Sequence, residues 1–439
     1  MYSRVSDVSA NTFIGGGFIG HCQGENNRIQ ADSAEQFQDA GIINLYGNVS
    51  FEEPGKMRLT AARATYFTRE GRLYADGNVV ATQLATGSTF TGPNMEYYRE
   101  VPGVSAARML APGRPTARLI EKDSTGKPGA PVIVIANTFE DRGDTLLLAW
   151  GNVVITRDAI EGRSDSSSFD KITERARLVR GARINNTDPN QTFVLTGDTI
   201  DLFSTNRQLE RVVALHEATA TSQDLVMQAE RIDLRLTLQK ISQAFAFGRG
   251  RATAQTPQQN VEADSLHILL PEQKVRQVRA VGRAIALGVP DTTRMVSEDR
   301  DMLRGDSVFA FFDSTAAPDD TAKTVQIREI RALGNASSLF QMASNKGRTV
   351  PPSINYTRGA RIFVDFDSGA VRTVRVDSAA SGVFLEPVTD SLVDSTGSSR
   401  RPVPPPVRRP PGGPEPVPLP AQPVAFASPW PSPAKRRAP

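Results

Sequence analysis

One cysteine, Cys22, is all that this chain of 439 residues carries. No internal disulfide can form, so packing and hydrogen bonding must hold the fold. Cys22 itself reads as a small buried residue. Aromatic residues are scarce at 7%, which counts against a polysaccharide-binding surface. Charge of one sign is lacking too. The 51 basic and 48 acidic residues leave a net charge of +3, too little to attract nucleic acid. No stretch approaches the roughly 20 apolar residues of a membrane helix. The start, Met1-Tyr2-Ser3-Arg4, has no hydrophobic leader.

Catalytic signatures are missing as well. The three histidines, His21, His216 and His267, are far apart in sequence. No His-x-x-x-His or Cys-x-x-Cys pair occurs, so no zinc site is expected. There is neither a Gly-x-Ser-x-Gly elbow nor a phosphate-cradling Gly-x-x-x-x-Gly-Lys. Gly15-Gly16-Gly17 is not followed by a helical pattern, so it is not a nucleotide fingerprint. The expectation is a protein that is not an enzyme and uses no metal or cofactor.

What the chain has is a repeat. A short phrase recurs as Ala31-Asp32-Ser33-Ala34, Ser164-Asp165-Ser166-Ser167 and Gly197-Asp198-Thr199-Ile200. It returns as Ala229-Glu230-Arg231-Ile232, Ala263-Asp264-Ser265-Leu266 and Gly305-Asp306-Ser307-Val308, with weaker copies near Pro93, Asn137 and Ala360. Anchors lie mostly about 28 to 34 residues apart, a period that means stacked supersecondary units. A second phrase falls between them, as in Tyr46-Gly47-Asn48-Val49, Asp76-Gly77-Asn78-Val79, Trp150-Gly151-Asn152-Val153 and Leu333-Gly334-Asn335-Ala336. Apolar residues alternate with polar ones around both phrases, which is strand periodicity. Gly-Asn inside such a run marks a bulge or bend. The repeated Asp residues read as structural, satisfying local backbone donors where a strand starts.

These features predict an all-β fold of about ten two-strand repeats. Phe13 to Gly20 has the form of a half-repeat, so the natural start is expected upstream, with a secretion signal. Breaks are expected at Pro102 to Pro131, Val289 to Arg300, Ser314 to Lys323 and Ser344 to Ser353. Residues 395–439 are rich in proline and basic side chains, and are expected to form a disordered tail.

The phase of the alternation selects one aliphatic face: Ile200, Leu202, Ile232, Leu234, Leu236, Leu266, Ile268, Leu270, Ile362 and Val364. For any one of these the ordinary reading is core. Together they predict a continuous apolar trough in a sheet folded over on itself. Thr199, Asp201, Asp233, Arg235, Ser265 and His267 fall on the opposite, polar face.

The succession Gln30-Ala31-Asp32-Ser33, Leu45-Tyr46-Gly47-Asn48-Val49, Leu59-Thr60-Ala61-Ala62, Ala75-Asp76-Gly77-Asn78-Val79 resembles the OstA-like domain. That domain forms LptA-type lipopolysaccharide-transport proteins and the amino-terminal part of LptD. The resemblance is best over residues 1–100 and looser over 101–394. It implies an elongated, folded-over antiparallel sheet of the β-jellyroll or β-taco kind. It also implies a periplasmic bridge carrying lipopolysaccharide by its acyl chains. The implied partners are an inner-membrane transport complex, an outer-membrane LptD-like protein and further copies docked end to end. The chain departs from the family in its length, its proline-rich tail and its lack of a carboxy-terminal barrel. Physical chemistry supports a lipid path: a uniform aliphatic trough gains roughly 0.8 kcal/mol per buried methylene without directional contacts. About twenty strands would stack to about 90–100 Å. The alternative is an envelope scaffold or filament built of the same repeat, without cargo.

Overall fold

A computed structural model describes residues 11–21, 26–100, 106–120, 126–143, 145–188, 192–222, 225–271, 274–290, 293–313, 326–344, 347–367 and 370–387. The chain divides into two units, residues 1–388 and 389–439, and all of these residues belong to the first. The proline-rich tail, Cys22 and the break at Ser314 to Lys323 lie outside the described residues.

The first unit opens with short strands β1 (Asn11–Ile14), β2 (Phe18–His21), β3 (Arg28–Ala31) and β4 (Ser33–Phe37). Long strands follow: β5 (Ile42–Glu53), β6 (Met57–Phe67), β7 (Arg72–Gln83) and β8 (Thr89–Tyr98). Four short strands come next: β9 (Arg108–Pro112), β10 (Thr116–Leu119), β11 (Val132–Ile135) and β12 (Thr138–Arg142). Then run β13 (Leu146–Arg157), β14 (Ile160–Asp170), β15 (Arg175–Asn186), β16 (Phe193–Thr205), β17 (Gln208–Ser222) and β18 (Leu225–Thr237). The series continues as β19 (Lys240–Gln255), β20 (Gln259–Leu269), β21 (Gln277–Gly288), β22 (Asp301–Asp313), β23 (Gln326–Met342) and β24 (Ser353–Asp367). It closes with β25 (Ala370–Asp377) and β26 (Ser381–Leu385).

Each long strand pairs antiparallel with the next, and the register slips near its middle. Between β5 and β6, Tyr46 opposes Arg63 and Val49 opposes Ala61, so Gly47 and Asn48 stand against Ala62 alone. Such a bulge turns the strand sharply. It needs two consecutive left-handed residues, which Gly and Asn adopt at low cost: φ is +71° at Gly47 and +43° at Asn48. Gly77-Asn78, Gly151-Asn152 and Gly334-Asn335 repeat the arrangement. The short strands are halves of bent strands. β3 and β4 both pair with β5 and are separated only by Asp32.

The repeated acidic residues sit at this bend. They occupy the middle of the unbulged strand, not its start, and their acceptors serve the neighbouring strand. Asn48 Nδ2 donates to Asp32 Oδ2 at 2.9 Å. Arg283 donates to Asp264 at 2.6 Å. The backbone N–H of Arg249 donates to Glu230 at 2.5 Å. The weaker sequence copies at Pro93 and Asn137 fall on corners as well. A second correction concerns Pro102 to Pro131: the segment read as a loop contains β9 and β10.

One face of each bent strand is buried on both sides of the bend, as with Leu195 and Ile200 on β16. No second layer covers these faces among the described residues, so the two half-sheets cover each other. Large and small residues alternate across the strands. Ile200 opposes Ala214, Ala214 opposes Ile232, Ile232 opposes Ala246 and Ala246 opposes Leu266, all buried. This interdigitation fills the space beside the bend.

The bend should be sensitive at Gly334, where φ is +74° and an added Cβ would run into the Asp306 carboxylate. Gly334→Ala is expected to cost about 1–2 kcal/mol in backbone strain plus the displacement of Asp306. Adding Asp306→Ala should recover the second part only. Urea unfolding midpoints of the two single variants and the double variant check this.

Candidate functional site

The predicted lining residues come together. Ile200, Ile232, Leu234, Leu266, Ile268, Ile362 and Val364 are buried members of one apolar cluster, and Leu202, Leu236 and Leu270 pack against it. Exposure rises with distance from the bend. Ile232 is fully buried, Leu234 is 5% exposed and Leu236 is only partly buried. The series Leu266, Ile268, Leu270 behaves in the same way. The folded sheet therefore has a tight seam at the bend and a looser lip along the free ends of the strands. Phe193, Leu225 and Val261, from the opposite half-sheet, form partly buried counterparts. At the lip a depression of about 390 Å³ is bordered by Leu209, Leu236, Leu238 and Ser242.

Two expectations need correction. The inward side chains of both half-sheets pack into buried clusters rather than bordering an open trough. The interior is also not continuous. One buried cluster runs from Ile29 to Val153 and the other from Leu178 to Val364. They are separated at β14, whose inward positions Gly162, Ser164 and Ser167 oppose Ile155, Val153 and Ala149. Ser164 turns its hydroxyl to the Ser166 carbonyl at 2.9 Å, so beside the bend this row carries no large apolar group, whereas Phe169 further along the strand still packs against the first cluster.

The outer face is organised by ion pairs and rings. Asp201 accepts from Arg177 at 2.6 Å and from Arg175 at 2.7 Å. Asp233 accepts from Arg211 at 2.9 Å and 2.5 Å. Arg175 and Arg211 flank the Phe203 ring at 5.1 Å and 5.6 Å. The polar face is thus not simply wet: both carboxylates are buried beneath their arginines. Burial alone would raise the Asp201 pKa, but the hydrogen bonds from Arg177 and Arg175 outweigh it and hold the carboxyl below the usual aspartate range. The sequence did not reveal these partners, which lie 24 and 26 residues from Asp201. Aligning consecutive repeats strand by strand is the operation that would have found them.

The predicted outward residue His267 lies on this face, stacked on Phe245 with centroids 4.2 Å apart. His216 occupies a bend, with φ of +59°. Among the described residues no three His, Cys, Asp or Glu side chains stand close enough to hold a metal ion. Among the described residues no helix is long and apolar enough to cross a membrane.

The site is therefore an aliphatic seam between two half-sheets, closed at the bend and loose at the lip. No family model matches the chain, and no curated protein matches it. Among solved structures it is similar to LptH, the LptA-homologous periplasmic component of the lipopolysaccharide transport device of Pseudomonas aeruginosa. The identity is 12%, the match covers 36% of this chain and 83% of that one, and the TM-score is 0.17.

The Asp201 cluster predicts a pH dependence. Its pKa is lower in the folded than in the unfolded chain, so its stabilisation is present above the ordinary aspartate pKa. It is lost as pH falls through the folded value. Asp201→Asn should lower stability by about 1–3 kcal/mol near neutrality. The gap between variant and parent should close on acidification. Denaturant unfolding at pH 7 and at successively lower pH measures it.

Proposed function

We propose that the folded sheet binds lipid acyl chains in its seam and serves as a periplasmic bridge for lipopolysaccharide between the two membranes. The observation that carries this reading is the gradient from buried Ile232 and Ile268 to half-buried Leu236 and Leu270 along the same strands. Aliphatic chains match such a surface without any directional contact. Because side chains fill the interior, a lipid must enter by parting the lips, where few contacts are lost, while the bend stays hydrogen-bonded. The bridge acts by binding, not by catalysis.

Partners follow from the ends of the sheet. β25 and β26 both pair with β24, and their outer residues Val374, Val383, Phe384 and Leu385 are exposed. Strand addition at such an edge supports end-to-end association with another copy, an inner-membrane transport complex or an LptD-like outer-membrane partner. One observation favours a scaffold without cargo: the interior is already filled and is interrupted at β14.

A photo-reactive residue at Leu234 or Ile268 separates the two readings. In the bridge it captures lipopolysaccharide, and the same probe at outward Thr199 does not. Capture from both faces alike, or from neither, favours the scaffold. Ile268→Asp provides the second measurement. It should abolish lipopolysaccharide binding in the bridge, with thermal unfolding followed on the same sample.

A further inference from the structure

Among the described residues, the outer face of β18 to β21 leaves positive charge without a carboxylate partner. His267 stands opposite Phe245 on one neighbouring strand and opposite Arg279 on the other. Its imidazole lies nearly parallel to the Phe245 ring, at an interplanar angle of 10°. The Arg235 guanidinium sits 4.8 Å from the centroid of that ring. Four adjacent strands thus fix two guanidinium groups and an imidazole in one patch. His267 Nε2 is shielded from solvent and makes no hydrogen bond.

Elsewhere on this face arginines are matched by acids. Arg177 meets Asp201 at 2.6 Å, Arg331 meets Glu329 at 2.6 Å and Arg375 meets Asp377 at 3.5 Å. The acid in register with this patch is Asp233, opposite Phe245. It is engaged by Arg211 at 2.5 Å and approached by Arg231 at 3.7 Å. Burial, and then Arg279 and Arg235, push the His267 pKa down. The patch is therefore a desolvated neutral imidazole between two cations, an arrangement that an anion would relieve.

We propose that Arg235, His267 and Arg279 form a binding site for a phosphoryl group on the outer face of the sheet. A phosphate offers three acceptor oxygens and up to two negative charges, enough to bridge both guanidiniums, and its charge would favour the imidazolium of His267 beside them. A carboxylate has one charge and would leave a cation unmatched. Phe247, 37% exposed two residues from Phe245, offers a flat apolar surface to the organic part of a phosphate ester. The site lies outside the seam and does not depend on the lipid-bridge reading.

The test follows the imidazole NMR signals of the full chain. The His267 signal is assigned by its loss in His267→Gln. Inorganic phosphate and glucose 1-phosphate are titrated separately at constant ionic strength, with sodium chloride as the control. The expected result is a saturable shift of the His267 signal alone and a rise in its pKa of roughly one unit, since a bound anion favours the imidazolium. Arg279→Gln and Arg235→Gln should each weaken binding at least about five-fold with unchanged thermal unfolding. Arg279→Lys should retain part of it. Tighter binding of glucose 1-phosphate assigns the site to an esterified phosphate, and equal binding assigns it to the free ion. Either supports the proposal. No saturation below about 10 mM, a shift that chloride reproduces, or binding unaltered in the two Gln variants overturns it.

Discussion

A β-strand cannot fold back over its own sheet and keep its ladder unless residues leave the β region at the fold line. This constraint shapes the whole unit. Most bulged strands meet it with a left-handed pair, β19 with a longer bulge between Phe247 and Ala252, and each strand between them supplies the corner residue. Where that residue is acidic, its oxygens take up donors from the bulge, as Asp32 does for Asn48 and Asp306 for Asn335. The bend then places two aliphatic faces against each other with no second layer. The seam, the lip and the outer face all follow from it.

The bend was legible because its chemistry is narrow. Few residues adopt two successive positive φ angles, so Gly-Asn inside an alternating run has one reading. The acidic phrase was legible as structural for the same reason, since it recurs with the bend. Its place was misread, because sequence shows the period but not which strand the side chain serves. His216-Glu217 also forms a bend, with φ of +59° and +52°, yet carries neither Gly nor Asn. There the surrounding ladders impose the conformation, and no local signal announces it. Strands β9 and β10 were hidden because each is half of a bent strand, too short for alternation to show.

Phase alone places Ile200, Ile232, Leu266 and their companions on the face that is buried, since a period of two leaves only two choices. Phase says nothing about how far apart two facing half-sheets stand. That depends on the bulk of the inward side chains, which alternates across neighbouring strands, Ile232 between Ala214 and Ala246 for example. Such pairings join residues 14 or more positions apart. The same limit concealed the ion pairs of the outer face and the interruption at β14, where a serine-rich row reads locally as an ordinary polar strand.

The filled interior determines how the sheet could open. Near the bend, separation would break the large-against-small packing and strain a hydrogen-bonded corner, both of which oppose it. At the lip the same strands end in half-buried Leu202, Leu236 and Leu270, whose apolar surface is already partly in water. Parting there exposes little that was not exposed before. In the bridge reading, burying part of an acyl chain in the gap would remove that surface from water again. Any opening would therefore be directional, hinged at the bend and widest at the free strand ends. The row of Gly162, Ser164 and Ser167 interrupts this aliphatic surface between β13 and β15. In the bridge reading, an acyl chain crossing that row beside the bend would meet hydroxyls and a glycine instead of Leu and Ile, with Phe169 as a large apolar group of the strand's inward face. For such a cargo the seam would consequently offer two favourable stretches with a less favourable step between them.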